Sequence, residues 1–266
     1  MSTAVAIVGA TKVSAALASL LRGTGGDLQL ALQTDRATSD LLAQVLGETG
    51  VAVLDLPQGE SRELARALGA WNVRVVDLGS DLRVPQVPCG FDESYAEGKR
   101  LVSLPSAAAM AAICAAGALI EGGLMFADRL LVTIVEGGAS TLNVQGLAAQ
   151  VADEFGWVLE QRGGKPQRRL GIVTRSPGEG LLALVQGELG NEEAQNVELL
   201  RRSQLYGPDW LHGCANPGFA RVAGSGVAEV SAESDSFCEW VLASCAIDPV
   251  WFCAHAALRT LRAVAG

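Results

Sequence analysis

The sequence has 266 residues, 49% of them hydrophobic, which is enough for one large domain or two modest ones with a substantial core. Its net charge of -9 and isoelectric point near 4.8, without a basic run, argue against binding to nucleic acid or to an anionic membrane. Its six cysteines have no paired C-x-x-C spacing, and no basic-then-apolar leader precedes the first predicted strand. The sequence therefore predicts a cytoplasmic protein with free, mostly buried thiols, whose partners are proteins or small molecules.

The first hundred residues alternate strand and helix patterns. Short β-rich apolar runs predict strands, and apolar residues at helical spacing predict the helices between them. The predicted strands cover residues 4–8, 28–33, 51–56 and 73–78, and the predicted helices cover residues 13–21, 39–46 and 60–68. This alternation predicts an α/β fold with a Rossmann-like, parallel, doubly wound sheet of the dinucleotide-binding kind.

The loop after the first strand is where the phosphate of a dinucleotide would lie. Glycines normally let backbone N–H groups approach it, but here only Gly9 is kept, and Lys12 and Ser14 occupy the other two places. The Cβ atom of Lys12 blocks this approach, although its ammonium could meet a phosphate. A structural turn without a ligand is therefore favoured. If a nucleotide binds, the residues expected to hold it are Gly9, Ala10, Thr11, Lys12 and, at the ribose, Asp35.

An uncharged segment, residues 103–120, approaches the length of about 20 residues that a membrane-spanning helix needs. Most of its residues are alanine, and it contains Pro105 and Gly117. This weakly apolar composition is typical of a helix packed closely between other elements. We therefore predict a buried helix and no membrane span.

The second half of the chain predicts an α+β domain with a mixed or antiparallel sheet. Strand patterns lie at residues 170–175, 181–187, 219–222, 227–231 and 237–242, helical patterns at 141–155 and 191–202, and a turn at 162–167. The predicted domains are residues 1–105 plus 248–266, of the dinucleotide-binding type, and residues 106–247, with the second sheet.

Four short segments carry a family resemblance. They are VAIVGAT at residues 5–11, VVDLGSDLR at 75–83, GFDE at 90–93 and KRLV at 99–102. Together they look like N-acetyl-γ-glutamyl-phosphate reductase, with aspartate-semialdehyde dehydrogenase as the wider relative. The resemblance implies a Rossmann-like domain that takes NADP or NAD, and a second domain, residues 106–247, of the dehydrogenase dimerisation or catalytic type, whose sheet makes dimer or tetramer contacts. It also implies a strand at residues 130–135 and a last helix that opens at Asp248.

The resemblance also implies a catalytic cysteine, which this chain lacks. In the family an Asn-Pro-Gly-Cys motif opens a long helix, and it aligns with Leu104-Pro105-Ser106-Ala107, so Ala107 takes the nucleophile position. The family's chemistry needs a thiolate and a nearby histidine that moves the proton. Residues 140–168, where the family carries that histidine, contain none.

No other residue is predicted to replace the nucleophile. Cys114 lies two helical turns from Ala107, about 10 Å away. Ser106 has no visible activating base and is interpreted as the N-cap of the following helix. Cys214 stands in a loop-like stretch before an Asn-Pro-Gly turn, where His212 does not complete a metal site.

Loss of the nucleophile, the histidine and two loop glycines predicts a catalytically inactive semialdehyde-dehydrogenase-like protein, a pseudoenzyme without a cofactor. It would act through protein–protein contacts, as a homo-oligomer or as the partner of an active enzyme. Apolar strand residues such as Leu182, Leu184, Val230 and Trp240 are candidates for the interface or, equally, for the core. Two alternatives stay open: an NAD(P)-dependent oxidoreductase with altered catalytic residues that acts on an acyl phosphate or semialdehyde, and a small-molecule sensor.

Overall fold

The computed structural model describes residues 2–24, 26–47, 50–84, 86–91, 93–127, 129–137, 144–161, 168–176, 180–190, 209–235 and 240–266. The chain divides into two compact units. The first consists of Met1–Ser106 and Cys253–Gly266, and the second of Ala107–Phe252.

The first unit is built on a parallel sheet, as predicted, and this sheet has five strands where four were predicted. Its strands are β1 (Thr3–Gly9), β2 (Leu28–Thr34), β3 (Val51–Asp55), β4 (Arg74–Asp77) and β5 (Leu101–Ser103), in the order β2-β1-β3-β4-β5. The connecting helices are α1 (Lys12–Thr24), α2 (Ser39–Leu46), α3 (Ser61–Ala70) and the short α4 (Glu93–Ala96). The central strands β1 and β3 are apolar and almost wholly buried, which is typical of a parallel sheet that is covered on both faces.

The second unit contains a six-stranded mixed sheet. Its strands are β6 (Arg129–Gly137), β7 (Arg168–Ser176), β8 (Leu181–Glu188), β9 (Leu211–Gly213), β10 (Ala228–Asp235) and β11 (Trp240–Ile247), in the order β7-β6-β8-β11-β10-β9. The strand pairs β6/β8, β8/β11 and β11/β10 are antiparallel, and β6/β7 and β10/β9 are parallel. The helices are α5 (Ala107–Glu121), α6 (Val144–Gln161) and the short α7 (Phe219–Val222). A last helix, α8 (Pro249–Ala265), begins in this unit and continues into the first. The predicted fold class is confirmed.

Helix α5 is buried at every position from Ala108 to Leu119, as predicted for the alanine-rich segment. Its small side chains let it pack closely on β8, β10 and β11, and it also contacts α6. Of the helices that the structure describes, none is long and apolar enough to cross a membrane.

Two local predictions are wrong. Residues 219–222, predicted to be a strand, form helix α7, because four residues are too few to separate a strand pattern from one helical turn. The stretch around His212, predicted to be a loop, forms β9, a three-residue strand that pairs with β10. Strand β5 and helix α4 were not predicted. The predicted turn at 162–167 and helix at 191–202 lie outside the described residues.

Candidate functional site

The carboxyl ends of the parallel strands in the first unit meet at one edge of the sheet. Gly9 ends β1, Asp55 ends β3, Asp77 ends β4, Ser103 ends β5, and Asp35 follows β2. Strand β2 is added on one side of β1 and strand β3 on the other, so the direction in which the chain adds strands to the sheet reverses at β1. Open α/β sheets bind their ligands at such a switch point. This edge is therefore the candidate site.

Thr11 connects β1 to helix α1 at this edge. Its Oγ1 atom accepts hydrogen bonds from the backbone N–H groups of Val13, at 3.1 Å, and of Ser14, at 3.3 Å. This is the hydrogen-bond pattern of a threonine N-cap, and it satisfies two of the N–H groups that a helix leaves without partners at its start.

The Asp55 carboxylate, at the end of the neighbouring strand β3, accepts hydrogen bonds from the same loop, which we call the closed loop. Its Oδ2 atom accepts a hydrogen bond from the Ser14 hydroxyl at 2.5 Å and another from the Thr11 hydroxyl. One carboxylate oxygen thus contacts both hydroxyls of the loop. Asp55 was not predicted as a site residue, although an acidic residue that ends a buried apolar run is a visible signal of a strand's carboxyl end.

Gly9 is required by packing within the sheet. A Cβ atom on Gly9 would lie only 2.3 Å from the backbone oxygen of Asp55 and 2.8 Å from its Cβ atom. Strands β1 and β3 approach each other here more closely than any side chain at position 9 allows. The remaining glycine of the fingerprint therefore has a structural reason that involves no ligand.

The other residues predicted to contact a nucleotide lie at the same edge of the sheet, but they do not form a binding site for its phosphate. Ala10, Lys12 and Asp35 are all exposed, and Asp35 follows the end of β2 as predicted. A dinucleotide phosphate would need the N–H groups at the start of α1, whereas those of Val13 and Ser14 donate to Thr11. It would also approach the Asp55 carboxylate. The residues present do not fit the phosphate of NAD or NADP.

Asp77 and Ser103 form a buried pair at the ends of β4 and β5. The Ser103 hydroxyl donates to Asp77 Oδ2 at 3.2 Å, and the Gly79 N–H donates to Oδ1 at 3.2 Å. Burial raises the pKa of Asp77 above its ordinary value, although the Ser61 hydroxyl and the Arg83 guanidinium act in the opposite direction. This pair ties adjacent strands together inside the unit.

Two charged residues that follow β4, Asp81 and Arg83, form hydrogen bonds with backbone groups. Arg83 donates to the carbonyl oxygens of Leu104, at 2.8 Å, and Leu78, at 3.1 Å. The Asp81 carboxylate accepts the N–H of Ser61, the first residue of α3, at 2.9 Å. These contacts fix the segments that follow β4 and β5.

In the second unit, Ala107 is the first residue of α5. Its methyl group offers no atom that can attack a carbonyl. Cys114 lies on the same helix and is fully buried, as is Cys245 on β11. Burial, and secondarily the nearby Cys114, raises the pKa of the Cys245 thiol well above its ordinary value.

A second polar cluster joins strand β10 to helix α7 and to the segment between β9 and α7. The Glu229 carboxylate accepts hydrogen bonds from Arg221 Nε at 2.5 Å and from the Gly218 N–H at 2.9 Å. The Arg221 hydrogen bond is the main reason that the pKa of Glu229 is lowered. Arg221 also donates to the carbonyl oxygen of Asn216, so this ion pair holds the predicted Asn-Pro-Gly turn.

Cys214 lies beside this ion pair and is half-buried. Its thiol donates to Glu229 at 3.8 Å, and burial and the Glu229 charge raise the pKa of the thiol. A thiolate is therefore disfavoured here. His212 is exposed and pairs with Glu229 across the two strands. Throughout the described residues, no group of three or more His, Cys, Asp or Glu side chains is placed to hold a metal ion.

No protein-family model and no curated protein matches this sequence. Two solved structures of aspartate semialdehyde dehydrogenase II from Vibrio cholerae, the second complexed with ASA, are similar to it, with TM-scores of 0.77 and 0.76. Their sequences are 12% and 13% identical to this one, and the matches cover 98% and 99% of this chain and 98% of each of theirs. The fold that the sequence resemblance implies is thus confirmed: the chain has the fold of aspartate-semialdehyde dehydrogenase.

Proposed function

We propose that this protein is a catalytically inactive protein of the semialdehyde dehydrogenase fold that acts through protein–protein contacts. The observation that carries the proposal is Ala107 at the start of α5. By the sequence resemblance, the catalytic cysteine of the enzymes opens this helix. Without a nucleophile there, neither a thiohemiacetal nor a thioacyl intermediate can form.

The thiols that the structure describes in the second unit do not supply a replacement. Cys114 and Cys245 are fully buried, and the pKa of the Cys214 thiol is raised. Full burial keeps Cys114 and Cys245 out of reach of a substrate, and Cys214 is a poor nucleophile near neutral pH because the thiolate is the reactive form. The closed loop at Thr11 and Asp55 supports the same proposal. Its Thr11 and Ser14 hydroxyls donate to the Asp55 carboxylate, and a negatively charged carboxylate there repels the phosphate of a nicotinamide cofactor.

The sheet of the second unit supports a role in protein contacts. Its inner face packs on α5, and buried residues such as Val241 and Val230 point to that side. Val230 therefore belongs to the core and not to an interface. On the outer face, Trp240 and Leu242 of β11 and Ile172 of β7 are 37%, 41% and 43% exposed.

Strand β8, which pairs with β11, continues this apolar surface. Leu182 and Leu184 alternate with buried residues of β8, and the register places them on the side of Leu242. We call these five residues, Trp240, Leu242, Ile172, Leu182 and Leu184, the outer apolar face. A second copy of the chain can cover such a face symmetrically, as in the common two-fold dimers. We propose homo-oligomer contacts here, and contact with an active enzyme if the chain does not self-associate.

The five cysteines described by the structure are free, which supports the proposed location in a reducing cytoplasm. No nucleic-acid or membrane partner is proposed, in line with the net charge of -9.

The proposal is tested by incubating purified protein with an aspartyl or N-acetylglutamyl type of semialdehyde or acyl phosphate, together with NADP or NAD. We expect no change in nicotinamide absorbance above the rate without protein. The variant Cys214→Ser is the control for contamination, because it removes the one half-buried thiol near Glu229. Turnover by the wild type that disappears in this variant would overturn the proposal in favour of an oxidoreductase with altered catalytic residues.

A further inference from the structure

Helix α1 begins at the ligand-binding edge of a parallel sheet, and its N-terminus is closed from inside the protein. The start of a helix carries a partial positive charge and backbone N–H groups without helical partners, so it attracts anions. In dinucleotide-binding folds this anion is the pyrophosphate of the ligand. Here the Val13 and Ser14 N–H groups are already bound by Thr11 Oγ1.

The negative charge at this helix start comes from Asp55. Its Oδ2 atom contacts the hydroxyls of Thr11, the N-cap, and Ser14, in the first turn, the latter at 2.5 Å. Ser14 is fully buried, so its hydroxyl cannot turn outward to a ligand. The carboxylate thus takes the hydrogen-bond donors and the electrostatic position that a bound phosphate would use.

Asp55 is held rigidly in this position. It is the last residue of β3, and its backbone oxygen would lie 2.3 Å from a Cβ atom on Gly9. The backbone pairs in register with β1 up to Gly9 itself. The strand pair thus fixes the backbone of Asp55, and the hydrogen bonds with Thr11 and Ser14 orient its carboxylate toward the start of α1.

We infer that Asp55 substitutes for the ligand phosphate at the start of α1 and so closes this loop to dinucleotides and to inorganic phosphate. The inference goes beyond the proposed function, because an inactive enzyme can still bind its nucleotide. It also assigns a role to Asp55 that is independent of Ala107. Removing the negative charge then releases the Thr11 hydroxyl, which can donate to an anion while its oxygen still accepts the two N–H hydrogen bonds, with Lys12 exposed beside it.

The test compares wild-type protein with Asp55→Asn, which removes the charge and keeps the size, and with Asp55→Ala, which also opens space. Binding of inorganic phosphate and of NADP is measured by calorimetry and by thermal unfolding. We expect no binding to the wild type at millimolar ligand. At least one Asp55 variant is expected to bind phosphate at least tenfold more tightly, and its Tm rises by about 3 °C or more at saturating phosphate.

Asp40→Asn is the matched control. It makes the same change in net charge at an exposed aspartate in the first turn of another helix of this unit, α2. We expect it to behave like the wild type, because only the charge at the start of α1 matters. A similar gain in this control would refute the inference in favour of a general effect of net charge.

Two other results refute the inference. One is binding of NADP or phosphate by the wild type, which can be measured even if both Asp55 variants fail to fold. The other is a folded Asp55→Asn and a folded Asp55→Ala that both fail to bind phosphate. Either result removes the support that this loop gives to the proposed loss of catalysis, but neither overturns that proposal, which rests on Ala107 and fails only on turnover.

Discussion

Gly9→Ala tests whether glycine is kept at this position for packing within the sheet. The added Cβ atom would lie 2.3 Å from the Asp55 backbone oxygen and 2.8 Å from the Asp55 Cβ atom. Both neighbours belong to the centre of the sheet and cannot move freely. Overpacking of this kind costs about 1–3 kcal/mol. The φ angle of +153° at Gly9 adds backbone strain of about 1–3 kcal/mol for alanine.

We therefore expect Gly9→Ala to lower the free energy of unfolding by about 2–6 kcal/mol, a large part of the total of about 5–15 kcal/mol for a typical domain. Urea unfolding followed by circular dichroism measures this change at constant m value. The melting temperature should fall by about 5–15 °C.

Gly23→Ala and Gly69→Ala are matched controls, because both glycines are exposed in helices and an added Cβ atom would meet nothing within 4 Å. Each should stabilise the protein by about 0.5–1 kcal/mol, the helix propensity difference between alanine and glycine. A Gly9→Ala variant within about 1 kcal/mol of the wild type would refute the packing argument. Gly9 would then need another explanation, such as the approach of a ligand.

Three further predictions concern other parts of the molecule. Leu242→Glu on the outer apolar face should convert an oligomer into a monomer, measured as a lower molar mass in light scattering. Trp71→Glu, at an exposed tryptophan of the first unit, should leave the mass unchanged. An unchanged mass for Leu242→Glu would exclude this face as the interface. Glu229→Gln should destabilise the protein by about 1–2 kcal/mol at pH 7 but much less near pH 3. The pKa of Glu229 is lowered in the folded state, so its contribution is present above the unfolded pKa and is lost as the pH falls through the folded pKa; equal losses at both pH values would contradict this. The difference in unfolding free energy between Asp77→Asn and the wild type should favour the variant more at pH 7 than at pH 4. The raised pKa of Asp77 makes the wild type, but not the variant, lose stability as the pH rises. Parallel pH profiles of unfolding for the two proteins would show that the carboxyl does not titrate in this range.

Regular elements with strong local signals were predicted well. Helix α2 covers Ser39–Leu46 as predicted, because Thr38 caps its start and Gly47, at a φ angle of +59°, follows its end. Elements of three or four residues, such as β9 and α7, were predicted wrongly. Such short segments form because neighbouring elements supply their hydrogen bonds and packing, which the local sequence does not record.

The outer apolar face shows a related limit. The alternation along β8 and β10 predicts that each strand has two different faces, but it does not tell which face α5 will cover. Leu184 and Val230 are equally apolar in the sequence, yet Val230 is in the core and Leu184 is on the opposite side of the sheet. The position of the helix makes this difference.

The sequence by itself determined the alternating pattern of the first unit and the residue at position 107, since both depend on the identity and order of neighbouring residues. Only the tertiary structure revealed the closed loop at α1, because Thr11 and Asp55 are 44 residues apart. The parallel pairing of β1 with β3 places their carboxyl ends side by side. A carboxylate that looks like an ordinary strand end in the sequence thereby becomes the anion at the start of a helix.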